Sequence, residues 1–326
     1  MTHPLPTAGL SRRQLLAAGL ILGSLPAWAQ SPSATTCREI DFDWVDTGRE
    51  RPVPARLYWP QATGRAVPLV VFSHGIGGSR RGYSYLGRHW ASHGYASLHV
   101  QHVGSDSALW SGNPLAVVSR LQAAAQEREA IARVKDVRFA LDRVIELSPP
   151  QLGAEIDARR VVAAGHSYGA NTSLLAVGAR VARGAQWLEF RDPRFTAAVV
   201  ISAPPFYGEN DLASVLGLVA VPTLHVTATE DVIQIPGYRS GATDRLAVFD
   251  AVADRRKLLV VYEGGSHSIF TDRAGTGGYA LNPRVKAATK ELALAFFESS
   301  FEGSTAHLTR WGETWKSLLA MPLNVG

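Results

Sequence analysis

The chain has 326 residues, 46% of them hydrophobic and 19% charged, which describes a folded globule and excludes a disordered or collagen-like chain. Its single cysteine, Cys37, has no partner for an internal bridge, so a disulfide-stapled scaffold is excluded as well. The formal charge is +5, with two units from Arg12 and Arg13, and no basic block is interleaved with aromatics, so nucleic acid is not an expected partner.

The first residues read as an address rather than as fold. Ser11-Arg12-Arg13-Gln14-Leu15-Leu16 resembles a twin-arginine export signal, an apolar run follows from Leu15 to Leu25, and Ala27-Trp28-Ala29 offers a small-x-small cleavage pattern. The run is well short of the ~20 apolar residues that span a bilayer. Residues 1–29 are therefore expected to be a cleaved signal, which places the product in the periplasm or outside the cell. That route carries folded proteins and does not require disulfides. Ala34-Thr35-Thr36 before Cys37 is not the apolar motif that lipid attachment needs. No later apolar stretch reaches eighteen residues, so the mature protein, 30–326, is expected to be a soluble single domain.

Short β-branched runs then alternate with longer amphipathic stretches, the pattern of an α/β domain. Arg38 to Val45 and Ala55 to Trp59 predict two strands around a turn at Asp46-Thr47-Gly48. Pro68 to Ser73 is continuously apolar, as in a strand buried on both faces, and ends at Gly75, Gly77 and Gly78. A helix through Tyr85 to Ser92 and a strand at Tyr95 to Gln101 follow. In Gln126 to Leu147, apolar Ile131, Val134, Val137, Leu141 and Val144 recur at three and four residues, predicting a helix that Pro149-Pro150 ends. Arg160 to Ala164, Ala197 to Ser202, Val221 to Ala228 and Lys257 to Tyr262 read as strands, and Val285 to Phe297 as a closing helix. Residues 104–121 and 174–193 fit the alternation poorly and read as a lid, a wall or surface excursions.

Gly165-His166-Ser167-Tyr168-Gly169 matches G-x-S-x-G, with Val161 to Ala164 leading in and a helix-forming segment leading out. This is the nucleophile elbow of the α/β-hydrolase fold, in which a mostly parallel central sheet carries helices on both faces. The turn is so tight that side chains at the flanking glycines would collide with neighbouring backbone. Ser73-His74-Gly75-Ile76-Gly77-Gly78, directly after the apolar strand, supplies the second element. In this fold the backbone N–H groups of Ile76 and Tyr168 would form the oxyanion hole.

Gly264-Gly265-Ser266-His267 lies just beyond the last strand. There His267 can reach Ser167 and serve as the base, its imidazole changing charge near neutral pH. His307 is later still but lies beyond the closing helix. The acid that orients the base is read as Asp231, about three residues past the strand end at Ala228, with Glu230 the alternative; Asp244 and Asp250 fall in a helix. His89 with His93, and His99 with His102, are spaced as zinc ligands can be, but no supporting motif accompanies them, and no metal or other cofactor is expected. His166 is read as packing or hydrogen-bonding locally.

The chain resembles the platelet-activating-factor acetylhydrolases and the predicted dienelactone hydrolases grouped with them. The likeness is carried by Arg51 to Tyr58, Phe72-Ser73-His74-Gly75 through Tyr83-Ser84, Ala91 to Tyr95, and the elbow. It implies a metal-independent carboxylic-ester hydrolase acting through an acyl-enzyme on a small or lipid-like ester. Two features depart from the pattern. Dienelactone hydrolases proper use a cysteine where Ser167 stands. The acetylhydrolases take their acid after the strand following the elbow, where this chain reads Ser202-Ala203-Pro204-Pro205-Phe206 and has no carboxylate before Glu209 and Asp211. Asp231 followed by Ile235-Pro236 looks instead like cutinase-type polyester hydrolases, although a lone cysteine excludes the disulfide those enzymes usually carry. The same triad would serve polyester, lactone, thioester or amide, and a non-catalytic binding protein on this fold is the reading from another class. Oligomeric state is not legible.

Overall fold

The computed structural model describes residues 37–325 apart from 62–63, 148, 150 and 236–237. The export signal at 1–29 lies outside the described residues. In chain order, β1 (Arg38–Asp46) and β2 (Arg51–Trp59) form an antiparallel pair in register from Arg38 opposite Trp59 to Asp46 opposite Arg51. Then come β3 (Val67–Ser73), α1 (Ser84–Ser92), β4 (Ala96–Val100), α2 (Val117–Ala124), α3 (Glu127–Glu146), β5 (Ile156–His166) and α4 (Tyr168–Val177). A small hairpin, β6 (Arg180–Arg183) and β7 (Gln186–Glu189), precedes β8 (Ala197–Ile201), α5 (Leu212–Leu216) and β9 (Thr223–Glu230). A second hairpin, β10 (Ile233–Ile235) and β11 (Tyr238–Ser240), leads to α6 (Ala242–Ala251), β12 (Lys257–Ser266), α7 (Leu281–Glu302) and α8 (Ala306–Trp315).

The main sheet has eight strands in the order β1-β2-β4-β3-β5-β8-β9-β12. Only the β1–β2 and β2–β4 pairs are antiparallel; β4, β3, β5, β8, β9 and β12 run parallel. β3 is buried at every position because parallel strands flank it and helices cover both faces. Alternate side chains sort between those faces. Leu69, Val71 and Ala163 pack with Val134, Leu141 and Leu174 of α3 and α4. Val70, Phe72 and Val162 pack with Leu86 and Trp90 of α1 and with Leu292 and Phe296 of α7. Among the described residues no helix is long and apolar enough to cross a membrane.

β3 and β5 are neighbours, but the chain leaves them in opposite directions, from β3 outward to β4 and from β5 outward to β8. The crevice beyond their carboxyl ends is the topological switch point, where open α/β sheets hold their ligands. The segment after β3 carries Gly75 and Ile76, and the residue after β5 is Ser167.

Several elements run longer than the sequence predicts. β2 begins at Arg51, not Ala55, because Pro52 and Pro54 lie where β1 is the only neighbouring strand; pairing with β4 starts at Ala55. β5 begins at Ile156, extended by a charged stretch that still pairs through Val67. Of the two segments that resisted assignment, 104–121 holds two short 3-10 turns and the start of α2, and 174–193 holds the end of α4 and the β6–β7 hairpin.

Candidate active site

The elbow is a single residue long. His166 ends β5, Tyr168 starts α4, and Ser167 between them adopts φ 57°, ψ −123°, a conformation that a non-glycine residue holds only under constraint. The flanking glycines show how tight the turn is. A Cβ on Gly169 would lie 1.9 Å from the Ser73 carbonyl oxygen, and one on Gly165 would lie 2.2 Å from the Gly169 carbonyl oxygen. Helix and strand approach each other more closely than any side chain permits, which holds Ser167 out at the sheet's edge.

His267 arrives through an irregularity in β12. Its parallel register with β9 runs to Tyr262, shifts, and resumes with Ser266 opposite Glu230. Gly264 and Gly265 take up the extra residues at φ 69° and 91°. The next residues on the two strands, His267 and Asp231, are thereby set side by side. His267 Nε2 lies 2.8 Å from Ser167 Oγ, and His267 Nδ1 lies 2.7 Å from Asp231 Oδ1. A carboxylate only accepts, so Nδ1 carries the proton and the Nε2 lone pair faces the serine hydroxyl.

Asp231 is buried and held from every side. Thr227 Oγ1 donates to its Oδ2 at 2.8 Å, and the buried Arg245 of α6 stands 3.4 Å from its Oδ1. Burial alone would raise its carboxyl, but the hydrogen bond and charge of His267 and the charge of Arg245 overcome that and hold it well below the usual carboxylate range. Glu230, the other candidate acid, ends β9 exposed to solvent. Glu209 pairs with Arg183, and Asp211 caps α5 by accepting from the Ser214 N–H. At the end of β8, where the resemblance would put an acid, stands Ser202, buried and at φ 52°.

Ile76, Ser167 and Tyr168 line one cavity of about 490 Å³. Tyr168 is the first residue of α4, so its N–H has no preceding turn to bond into. The cavity walls are mostly apolar, with Ile131, Phe206 and Ile233 among them. Both segments that resisted assignment contribute: Val118 and Leu121 from the first, Leu175, Val181 and Phe190 from the second.

His166 is structural in the way its sequence position suggests. Its Nε2–H donates to the His267 carbonyl at 3.0 Å, which leaves Nδ1 to accept from the Tyr83 hydroxyl at 2.8 Å. Burial depresses its imidazole to about 3, so it stays neutral and keeps this arrangement. The zinc-spaced pairs have other partners. His99 Nδ1 donates to the Gly82 carbonyl, His102 Nδ1 bonds Asp136, and His93 Nδ1 donates to the His89 carbonyl. No group of three or more potential metal ligands occurs among the described residues. A larger open cleft of about 740 Å³ is lined by Val67, Tyr95, His89 and His93, at the amino ends of β3 and β4. It lies at the opposite edge of the sheet from Ser167.

Thr227, Arg245 and Tyr83 are supporting residues that sequence reasoning missed. Tyr83 alone carried a signal, as part of the stretch that bears the family likeness; the others occupy ordinary strand and helix positions.

A mostly parallel eight-stranded sheet with helices on both faces and a serine elbow at its carboxyl edge defines an α/β-hydrolase fold. The comparisons agree. Residues 47–144 match the family described as platelet-activating factor acetylhydrolase, isoform II, a stretch that ends before Ser167. Curated relatives are platelet-activating factor acetylhydrolases: that of Cavia porcellus is 29% identical over 37% of this chain and 34% of its own. That of Bos taurus is 29% identical over 64% of this chain and 49% of its own. The chain thus aligns with a third to a half of these relatives' length, and the family resemblance read from the sequence stands. Solved structures with this fold include a ferulic acid esterase from Streptomyces cinnamoneus, with a TM-score of 0.58, 21% identity, and coverage of 85% of this chain and 93% of that one. An acylaminoacyl peptidase from Pyrococcus horikoshii has a TM-score of 0.55 and 17% identity, covering 81% of this chain and 42% of that one.

Proposed function

We propose that the protein is a serine hydrolase that cleaves carboxylic esters through an acyl-enzyme. The observation that carries the reading is the unbroken hydrogen-bonded line from Ser167 Oγ through His267 to Asp231, opening on an apolar cavity. Ser167 Oγ attacks the ester carbonyl as its proton passes to His267 Nε2, and Asp231 stabilises the imidazolium that results. The N–H groups of Ile76 and Tyr168 receive the developing oxyanion. His267 then gives the proton to the leaving alkoxide, freeing the alcohol. Water, deprotonated by His267, attacks the acyl carbon; the tetrahedral species collapses to release the carboxylic acid, and Ser167 recovers its proton. The acetylhydrolase relatives favour an ester over an amide, and the cavity's walls favour an apolar group on that ester.

Two further elements belong to this reading. The signal-like segment at 1–29 exports the folded chain, as Arg12→Lys with Arg13→Lys would show by trapping precursor in the cytoplasm. Residues 30–326 act as one domain. The decisive test is a fluorophosphonate probe with a p-nitrophenyl ester panel of increasing acyl length. The probe is expected to label Ser167, with turnover extending to apolar acyl groups longer than acetyl. A wild-type protein that neither labels nor turns over any ester ends the proposal.

A further inference from the structure

The steps above use no residue of α3, yet a guanidinium from that helix is sealed beneath the reacting serine. Arg133 is 0% exposed, and burial pushes it down to about 10. Among the described residues it makes no ion pair with a carboxylate; its donors go to uncharged acceptors. Nη2 bonds the His74 carbonyl, Nη1 bonds Ser105 Oγ at 2.8 Å, Nε bonds Thr172 Oγ1 at 3.1 Å, and the guanidinium plane sits 4.5 Å over the Tyr168 ring. The two nearby carboxylates are engaged elsewhere: Asp136 by Arg51 and Arg49, Glu129 by Arg51 and by the Ser105 hydroxyl. Arg49 pairs with Asp46 as well as Asp136, and Arg51 with Asp136 and Glu129, so Arg133 is the one guanidinium of the three with no carboxylate bonded to it.

The placement of these contacts is specific. The His74 carbonyl is two residues before Ile76. On the other side of Ile76, the Gly77 N–H donates to the Ser105 carbonyl at 2.8 Å, so Ser105 carries Arg133's hold to the far end of the loop. Thr172 Oγ1, which accepts from Arg133, donates in turn to the Tyr168 carbonyl at 3.0 Å, while the Tyr168 ring packs on the guanidinium. One side chain therefore holds the backbone before Ile76 and the ring of Tyr168 directly, and reaches the backbone after Ile76 through Ser105 and that of Tyr168 through Thr172. These are the two residues whose N–H groups serve the oxyanion.

We propose that Arg133 is a positioning residue for the oxyanion hole: it sets the Ile76 and Tyr168 N–H groups relative to each other and places behind them a positive charge to which no carboxylate is bonded. Oxyanion donors act in proportion to their preorganisation, and a fixed charge in a water-excluded site favours the state in which negative charge has developed. Arg133 does not touch the substrate. Its influence falls on the tetrahedral states and not on ground-state binding, so it appears in kcat and leaves KM alone. This inference rests on the ester-hydrolase reading.

The test is steady-state hydrolysis of a p-nitrophenyl ester by the whole exported chain, normalised to active sites titrated with a fluorophosphonate. Arg133→Met keeps the volume and removes the charge and the fork; it is expected to lower kcat per titrated site by about 100-fold, with KM within about threefold. Arg133→Lys restores the charge without the planar fork and is expected to recover about tenfold of that loss. The rate constant of fluorophosphonate inactivation, whose transition state needs the same donors, falls in parallel. A merely structural arginine gives fewer active sites, each with wild-type kcat, and that result overturns the proposal. If Arg133→Met does not fold, Thr172→Val and Ser105→Ala each remove one contact; wild-type kcat per site in both overturns it equally. An unlabelled wild-type Ser167 refutes the hydrolase reading itself, a different outcome from wild-type kcat in an Arg133 variant that labels.

Discussion

The molecule contains the same three side chains in the same hydrogen-bonded order twice. At the sheet's carboxyl edge Ser167 Oγ, His267 and Asp231 are linked at 2.8 and 2.7 Å. On the neighbouring strand, where Ser73 stands opposite Gly165, Ser73 Oγ lies 3.2 Å from His102 Nε2, and His102 Nδ1 lies 3.1 Å from Asp136 Oδ2. Residue types and connectivity are alike; the surroundings are not. Ser73, His102 and Asp136 are 1%, 0% and 0% exposed, so no substrate carbonyl can approach. Asp136 is also shared among guanidinium groups of Arg51 and Arg49, whereas Asp231 reserves its Oδ1 for His267, with Arg245 at a longer distance. Ser73 ends a regular strand, while Ser167 is forced into a left-handed turn facing a cavity. On the function proposed above, a serine–histidine–aspartate line is a reactive centre only with access, strain and oxyanion donors; without them it is a buried polar brace.

The widest separation between the two lines is expected from their serines. Ser167→Ala should lower ester turnover by about 10⁴-fold or more and abolish fluorophosphonate labelling while the fold persists. Ser73→Ala removes one buried hydroxyl; it should leave turnover per labelled site within about threefold and cost about 1 kcal/mol of stability, read from urea unfolding. Equal losses in the two variants would erase the distinction drawn here.

The aspartates come next and reverse which property suffers. Asp231→Asn keeps the size but no longer stabilises an imidazolium, so kcat should fall by about 10³–10⁴-fold with little loss of stability. Asp136→Asn leaves Arg51 and Arg49 without their buried partner and is expected to lose about 3 kcal/mol in the same unfolding measurement, with turnover of the folded fraction largely kept. Comparing kcat per active site with the unfolding midpoint in each variant separates the two roles; an Asp136→Asn enzyme that is as stable as the parent would refute the brace.

Much of the reactive line was legible in the sequence because its constraints are local. Glycine at 165 and 169, an apolar run before the elbow, and glycines before His267 each answer a backbone requirement that only certain residues meet. Asp231 was harder to read, since strand ends in α/β folds are rich in carboxylates. What set it apart from Glu230 is the register of β9 against β12, which turns one side chain inward and the other to solvent. The brace was not legible. In the sequence His102 stands out only for its spacing from His99, and Ser73, His102 and Asp136 come from the end of β3, the segment after β4, and α3, brought together by the fold and not by sequence distance. The elements missed, α2, α5, α8 and the two hairpins, are short or peripheral, where packing against the cavity and the closing helix decides conformation more than periodicity does.

The remaining effect concerns acid, and it belongs to the buried region rather than to the reactive line. Burial holds His166, His99 and His225 at about 3 and pushes His102 well below its ordinary value. A histidine kept neutral in the folded state but free to titrate near 6.5 when unfolded binds more protons unfolded, so stability is full above about pH 6.5 and drains as the pH falls toward the folded value. Each such histidine forfeits about 2 kcal/mol between pH 7.5 and 5. Asp231 behaves oppositely in range: its folded value is depressed, so its contribution is intact above about pH 4 and fades only below that. Acid instability between pH 6.5 and 5 should therefore come from the histidines. His225, which bonds Thr223 in mid-strand and packs on Phe249, tests this away from Ser167. His225→Gln should flatten the decline in unfolding free energy between pH 7.5 and 5 by about 2 kcal/mol without altering turnover per active site. A wild-type protein equally stable at pH 7.5 and pH 5 would show that these imidazoles titrate freely in the fold, and that the interior is far less sealed than the brace requires.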